Sequence, residues 1–218
     1  MSDSKVTDTQ TVRLDGHDFE IPQRYFQDGG RTPSWLRWLP GLDDGSRELL
    51  LTISASEAAV AVPGYKPTDG RYDDDLRLRL VVLNADERRR YLDPNQFADV
   101  WNSTGSYRDR VIETDPETHL IRAYRRREYP NSWEVFTVSP DRPMPSDLFS
   151  FWIGHCLNSH SPLTPSGTLA LCKSYVVVGD IAANFTMSAQ NLTNTDGVRS
   201  YLRGLVSQWL KRGAARGI

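Results

Sequence analysis

Residues 173–210, KSYVVVGDIAANFTMSAQNLTNTDGVRSYLRGLVSQWL, decide the fold. Lys173 to Val178 and Ile181 to Ala189 are apolar, β-branched runs separated by Gly179-Asp180, a tight-hairpin signal. Val198, Tyr201, Leu202, Leu205, Val206, Trp209 and Leu210 then recur at spacings of 3, 1, 3, 1, 3 and 1, an amphipathic stripe at helical period. Asp196 is the expected N-cap. Lys211 and Arg212 in the last turn suit the helix dipole, and Gly213 can close the end. The cationic polar side also suits a membrane surface, but a helix that follows a strand directly is better placed to cover a sheet.

More strands lie upstream. Val12, Leu14, Phe19 and Ile21 flank an Asp15-Gly16 turn, and Glu48 to Ser54 (ELLLTIS) reads as a short buried strand. Leu76, Leu78, Leu80 and Val82 alternate with Arg77, Arg79 and Val81, so this strand has one buried face and one that is wet at its start. Leu120 to Tyr124 and Trp133 to Val138 pair around Tyr129-Pro130-Asn131, and Phe149 to Ile153 is a further strand. A weaker helix is expected over Asn95 to Trp101, after Asp93-Pro94. Together these predict an α+β fold: a largely antiparallel β-sheet packed by a C-terminal amphipathic α-helix. Residues 1–11 read as a disordered tail and 12–218 as one α+β domain, with 142–146 (RPMPS) the best point for a subdivision.

Composition bounds the function. The 218 residues are 39% apolar, 25% charged and 10% aromatic with six Trp, which argues against a disordered chain. A chain of this length buries roughly 70% of its unfolded surface and needs no metal staple. A net charge of −2 gives no global reason to expect nucleic acid or an anionic membrane as partner. No run approaches the roughly 18 apolar residues of a bilayer span.

The first eleven residues are polar and carry no signal-peptide core. Two readings follow: a cytoplasmic protein, or an exported one whose leader has been removed. The two cysteines, Cys156 and Cys172, favour the second. They lie 16 positions apart across a loop rich in Pro, Ser and Asn, and two strands joined by it can bring them into bonding distance. Closing such a loop contributes about 3 kcal/mol. Two buried free thiols are the alternative. The triplets at Asn102, Asn184 and Asn191 match the glycosylation pattern but arise readily by chance in polar chains.

Catalytic signatures are sparse. There is no G-x-S-x-G elbow, phosphate loop, dinucleotide fingerprint or paired-carboxylate motif. His155, Cys156, His160 and Cys172 form a zinc-compatible ligand set with poor spacing, and adjacent residues on a strand point to opposite faces. Asp73-Asp74-Asp75 lacks the calcium-loop pattern. Arg88-Arg89-Arg90 and Arg125-Arg126-Arg127 are interleaved with acids and carry no nucleic-acid motif. The expectation is therefore no cofactor, no metal, no nucleic acid and no small-molecule substrate. Surface complementarity is expected instead, through Tyr65, Tyr72 and Asp73 to Asp75 on one loop, or through Trp35 and Trp38 on another.

Several segments resemble a group of small exported proteins of Gram-negative bacteria: Phe19–Phe26 (FEIPQRYF), Ala61–Pro67 (AVPGYKP) with the acidic loop after it, Leu76–Leu83 (LRLRLVVL), and the block from Cys156 and Cys172 to the terminal helix. The match covers about half the chain. In that group the opening residues follow a membrane anchor or lipoprotein signal, the cysteine pair resembles a bonded one, and some members resemble type VI secretion immunity proteins. The resemblance implies a periplasmic, non-catalytic protein, tethered to a membrane by a leader missing here, that binds a cognate bacterial toxin. That toxin would be a phospholipase or cell-wall hydrolase. A cytoplasmic effector-loading adaptor or chaperone and a metal-binding module are the alternatives.

Overall fold

The computed structural model describes residues 8–26, 47–67, 75–126, 131–160 and 168–210. Period-2 alternation organises it. In strand β4 (Leu76–Val82), Leu76, Leu78 and Leu80 are buried to 1% exposure or less, while Arg77 and Arg79 face solvent. The other strands are β1 (Thr9–Leu14), β2 (His17–Pro22), β3 (Glu48–Ile53), β5 (Val111–Thr114), β6 (Ile121–Tyr124), β7 (Ser132–Phe136), β8 (Trp152–His160), β9 (Thr168–Val178) and β10 (Ile181–Ser188). Eight of them form one antiparallel sheet in the order β3-β4-β10-β9-β8-β7-β6-β5, and β1 and β2 form a separate hairpin. The α+β expectation therefore holds.

The β1–β2 turn is built as its sequence predicts. Asp15 and Gly16 both take positive φ, 40° and 88°, the backbone that lets a two-residue turn follow the twist of its strands. Pairing already begins at Thr9, inside the stretch expected to be a tail.

Helix α4 (Thr195–Trp209) lies across β9 and β10 and buries Val198, Leu202, Val206 and Trp209. Its bridge from Leu210 to Phe19 joins it to the β1–β2 hairpin, whose Leu14, Phe19 and Ile21 enter the same core. The helix begins two residues earlier than expected. Asn194 is its N-cap without a side-chain bond, and Asp196 instead accepts from Arg199 at 3.0 Å. Residues 211–213, expected to finish the helix, lie outside the described residues.

Three further α-helices, all short, lie among the described residues: α1 (Ala55–Ala61), α2 (Ala85–Leu92) and α3 (Ala98–Asn102). The expected helix over 95–101 is a 3-10 turn, Pro94–Phe97, running into α3. Phe149 and Ser150 are not in a strand either. The Asp147 carboxylate accepts from the Phe149 N–H, capping a 3-10 turn, and β8 starts at Trp152. The ELLLTIS strand β3 is the last strand of the sheet among the described residues, and its Leu50 is 72% exposed, contrary to a fully buried reading. On the sheet's second face, Phe97, Val100, Phe136, Phe151, Trp152 and Tyr175 form an aromatic-rich core. That core covers only part of the face.

Candidate binding face

Strand register lines up side chains across the uncovered part. One row runs Thr52, Arg77, Thr186, Lys173, His155 and Glu134, over β3, β4, β10, β9, β8 and β7. The neighbouring row runs Leu50, Arg79, Asn184 and Tyr175. Arg77, Arg79 and Lys173 are exposed, and Thr52, Asn184, Thr186 and His155 are half-buried. Arg79 is paired with the Glu48 carboxylate. The face is thus polar, with three cations, Arg77, Arg79 and Lys173, against two carboxylates, Glu48 and Glu134, and with Leu50 as its exposed apolar point at the β3 edge.

The boundary with the aromatic cover is set by hydrogen bonds. Glu134 accepts from the Trp152 indole N–H at 3.0 Å and from His155 Nδ1 at 2.8 Å. Tyr175 donates to the Tyr91 carbonyl at 2.6 Å and accepts from Gln96 at 3.2 Å, and burial pushes its hydroxyl up to about 12. These bonds fix the row where it passes under the cover.

Behind the row, on the covered face, the sheet is cross-linked. Cys156 and Cys172 face each other directly in the β8–β9 register and form a disulfide, both sulfurs buried. The His155–Lys173 pair on the open face is the next pair in that register. Gly154 follows, and a Cβ there would stand 2.7 Å from the Lys173 carbonyl oxygen, so only glycine allows the backbones to approach this closely.

Arg199 of α4 fastens the helix to the same two strands. It is 3% exposed and donates to the carbonyls of Trp152 (2.8 Å), Ile153 (3.2 Å) and Tyr175 (3.3 Å) and to the Ser174 hydroxyl (3.0 Å). Its guanidinium also lies 4.9 Å from the centre of the Phe149 ring. Burial pulls its pKa below the ordinary arginine value, against the opposing charge of Asp196. The register between β7 and β8 slips at this point, Val135 pairing with Gly154 and Phe136 with Trp152. Arg199 thus satisfies carbonyls at an irregularity in the ladder.

A second polar cluster joins α4 to α1 through Tyr201, two positions beyond Arg199. Glu57 of α1 accepts from Tyr25, from Tyr201 at 3.2 Å and from Arg24 at 3.3 Å. Burial raises the Glu57 carboxyl, but the Tyr25 and Arg24 hydrogen bonds outweigh it and hold the group below its ordinary value. Burial, then the neighbouring Tyr25 and Glu57, push the Tyr201 hydroxyl well above the ordinary tyrosine range.

Of the loop residues expected to make contacts, Tyr65 and Asp75 are among the described residues. Tyr65 is 4% exposed and belongs to the core, because its segment is tied down: Asn191 accepts from the Lys66 N–H at 2.7 Å. Asp75 accepts from the Ala55 N–H at 2.9 Å, at the start of α1. Tyr72, Asp73, Asp74, Trp35 and Trp38 lie outside the described residues. The same Lys66 contact accounts for Asn191, which is fully buried and so closed to glycosylation. The zinc reading fails on chemistry, since both sulfurs are consumed in the disulfide and are no longer thiolates; the His160 side chain lies outside the described ones. Among the described residues no three His, Cys, Asp or Glu side chains gather as a metal site needs. The open row itself escaped the sequence reading. Its signal was present in the alternating arginines of β4, but which strands lie beside β4 is fixed only by long-range pairing.

No family model matches the chain, and no curated protein matches it. Among solved structures, an immunity protein of the Stenotrophomonas maltophilia type IV secretion system is similar over 94% of both chains, at a TM-score of 0.46 and 12% identity. The sequence resemblance pointed to type VI members; this neighbour belongs to type IV. A likeness this loose carries no functional argument.

Proposed function

We propose that this chain is a non-catalytic binding protein of the periplasm, an immunity protein that neutralises a toxic type VI secretion effector by direct contact. A phospholipase or cell-wall hydrolase is the class of effector that the sequence resemblance suggests. The observation that carries the proposal is the exposed polar face of β3, β4, β10 and β9 backed by the Cys156–Cys172 bridge. A buried disulfide suits an oxidising compartment. A sheet face held by a cross-link and by Arg199 loses little freedom on docking, which leaves more of the contact energy to appear as affinity.

Calorimetric titration of the oxidised protein with the toxin encoded beside it tests the proposal. Binding tighter than about 1 μM, with loss of toxin activity, is expected. Absence of binding at that level overturns it, and so does finding both cysteines reduced in protein taken from its native cells.

A further inference from the structure

Resting on that reading, we infer that the open sheet face is the docking surface and that the partner presents a patch of aspartate and glutamate side chains around an apolar contact. The argument is one of charge and shape. Arg77 and Arg79 on β4 and Lys173 on β9 are exposed on either side of β10, and the carboxylates in the same two rows and beside them are Glu134 and Glu48, the latter paired with Arg79. The chain as a whole is acidic, with a net charge of −2, so this local excess of cations runs against the global balance. Such a patch steers an oppositely charged protein and fixes its orientation. Asn184 and Thr186 lie between the cations, Thr52 lies beside Arg77 on β3, and all three can take or give hydrogen bonds from a half-buried position. Leu50, 72% exposed at the β3 edge, supplies the apolar contact that a polar face otherwise lacks.

The same cations would attract nucleic acid, but the observations favour protein. Arg77, Arg79 and Lys173 are three cations in two rows, too few for the run of phosphate contacts from which nucleic-acid affinity is built. The aromatic side chain that shares these rows, Tyr175, is 9% exposed and cannot stack on a base.

The test uses the full oxidised chain and the toxin encoded beside it, with association followed by surface plasmon resonance at low and high salt. R77E/K173E is compared with R88E/R89E, which makes the same charge change on exposed α2. Urea midpoints of both variants near the parent's show that the fold is kept. The expected result is an association rate reduced about tenfold or more for R77E/K173E, with R88E/R89E close to the parent. L50S is expected to speed dissociation and leave the salt dependence unchanged.

Equal slowing by both double variants would mean long-range net charge alone and overturns the surface, as does no slowing by either. Binding of duplex DNA more tightly than the toxin overturns the choice of partner. A parent chain that fails to bind the toxin removes both this surface and the function it rests on. Binding that is indifferent to R77E/K173E removes only the surface.

Discussion

Replacing Arg199 with methionine keeps the apolar stem and deletes the guanidinium. The carbonyls of Trp152, Ile153 and Tyr175 and the Ser174 hydroxyl then lose a donor inside a site that is 3% exposed. Each buried acceptor left without a partner costs about 1 kcal/mol or more, so three carbonyls cost about 3 kcal/mol. The lost pair with Asp196 adds little, because that carboxylate is 77% exposed. Against this stands the cost of burying the guanidinium, which the variant recovers and which shows as the depressed pKa. The bonds are expected to win, because they hold the helix to β8 and β9 where the β7–β8 register slips. R199M should unfold about 6–12 °C below the parent in a thermal melt. R199K, a point charge without the planar fork, should fall between them. An R199M protein within 1 kcal/mol of the parent in urea, or more stable than it, would show that burying the charge costs as much as its bonds return, and would refute the clamp.

Other perturbations separate the remaining parts. C156A/C172A should lose about 3 kcal/mol in urea unfolding through the freed loop, and a loss under 1 kcal/mol would show that the bridge does not constrain the chain. Glu57 has a folded-state pKa below its ordinary value of 4.5, so its stabilisation is present above that pH and lost as pH falls through the depressed value. E57Q should therefore be less stable than the parent at neutral pH, by about 1 kcal/mol, and the two should converge in acid; parallel pH–stability curves would contradict this. G154A should be destabilised by about 1–3 kcal/mol, because the Lys173 carbonyl stands 2.7 Å from the added carbon, and unchanged stability would mean the strands part freely.

What the sequence disclosed, and what it hid, follows from the range of each interaction. The β4 alternation, the Asp15-Gly16 and Gly179-Asp180 turns and the α4 stripe are local patterns, and each appears where its period or turn chemistry puts it. Helix α2 went unread because it buries nothing. It is held by a capping box between Asn84 and Glu87 and by the Arg47–Glu87 ion pair at 2.6 Å. The Asn-x-x-Glu spacing was there to find, as was Ser54-x-x-Glu57 before α1, where the Ser54 hydroxyl accepts from the Glu57 N–H. The buried Arg199 was not legible, since an arginine beside an apolar stripe reads as the wet flank of a helix. Its partners are carbonyls on strands up to 47 positions away, and no local pattern encodes them. The candidate face was hidden for the same reason: its residues come from six strands that only the folded register brings into line.

The central claim, that this protein acts by contact and not by turnover, is tested most directly by stoichiometry. Residual activity of the proposed toxin partner is measured as oxidised protein is added in fractions of an equivalent. A linear fall that reaches zero at one protein per toxin is the predicted result. Complete inactivation by a small fraction of an equivalent would mean a catalyst, and would contradict the account.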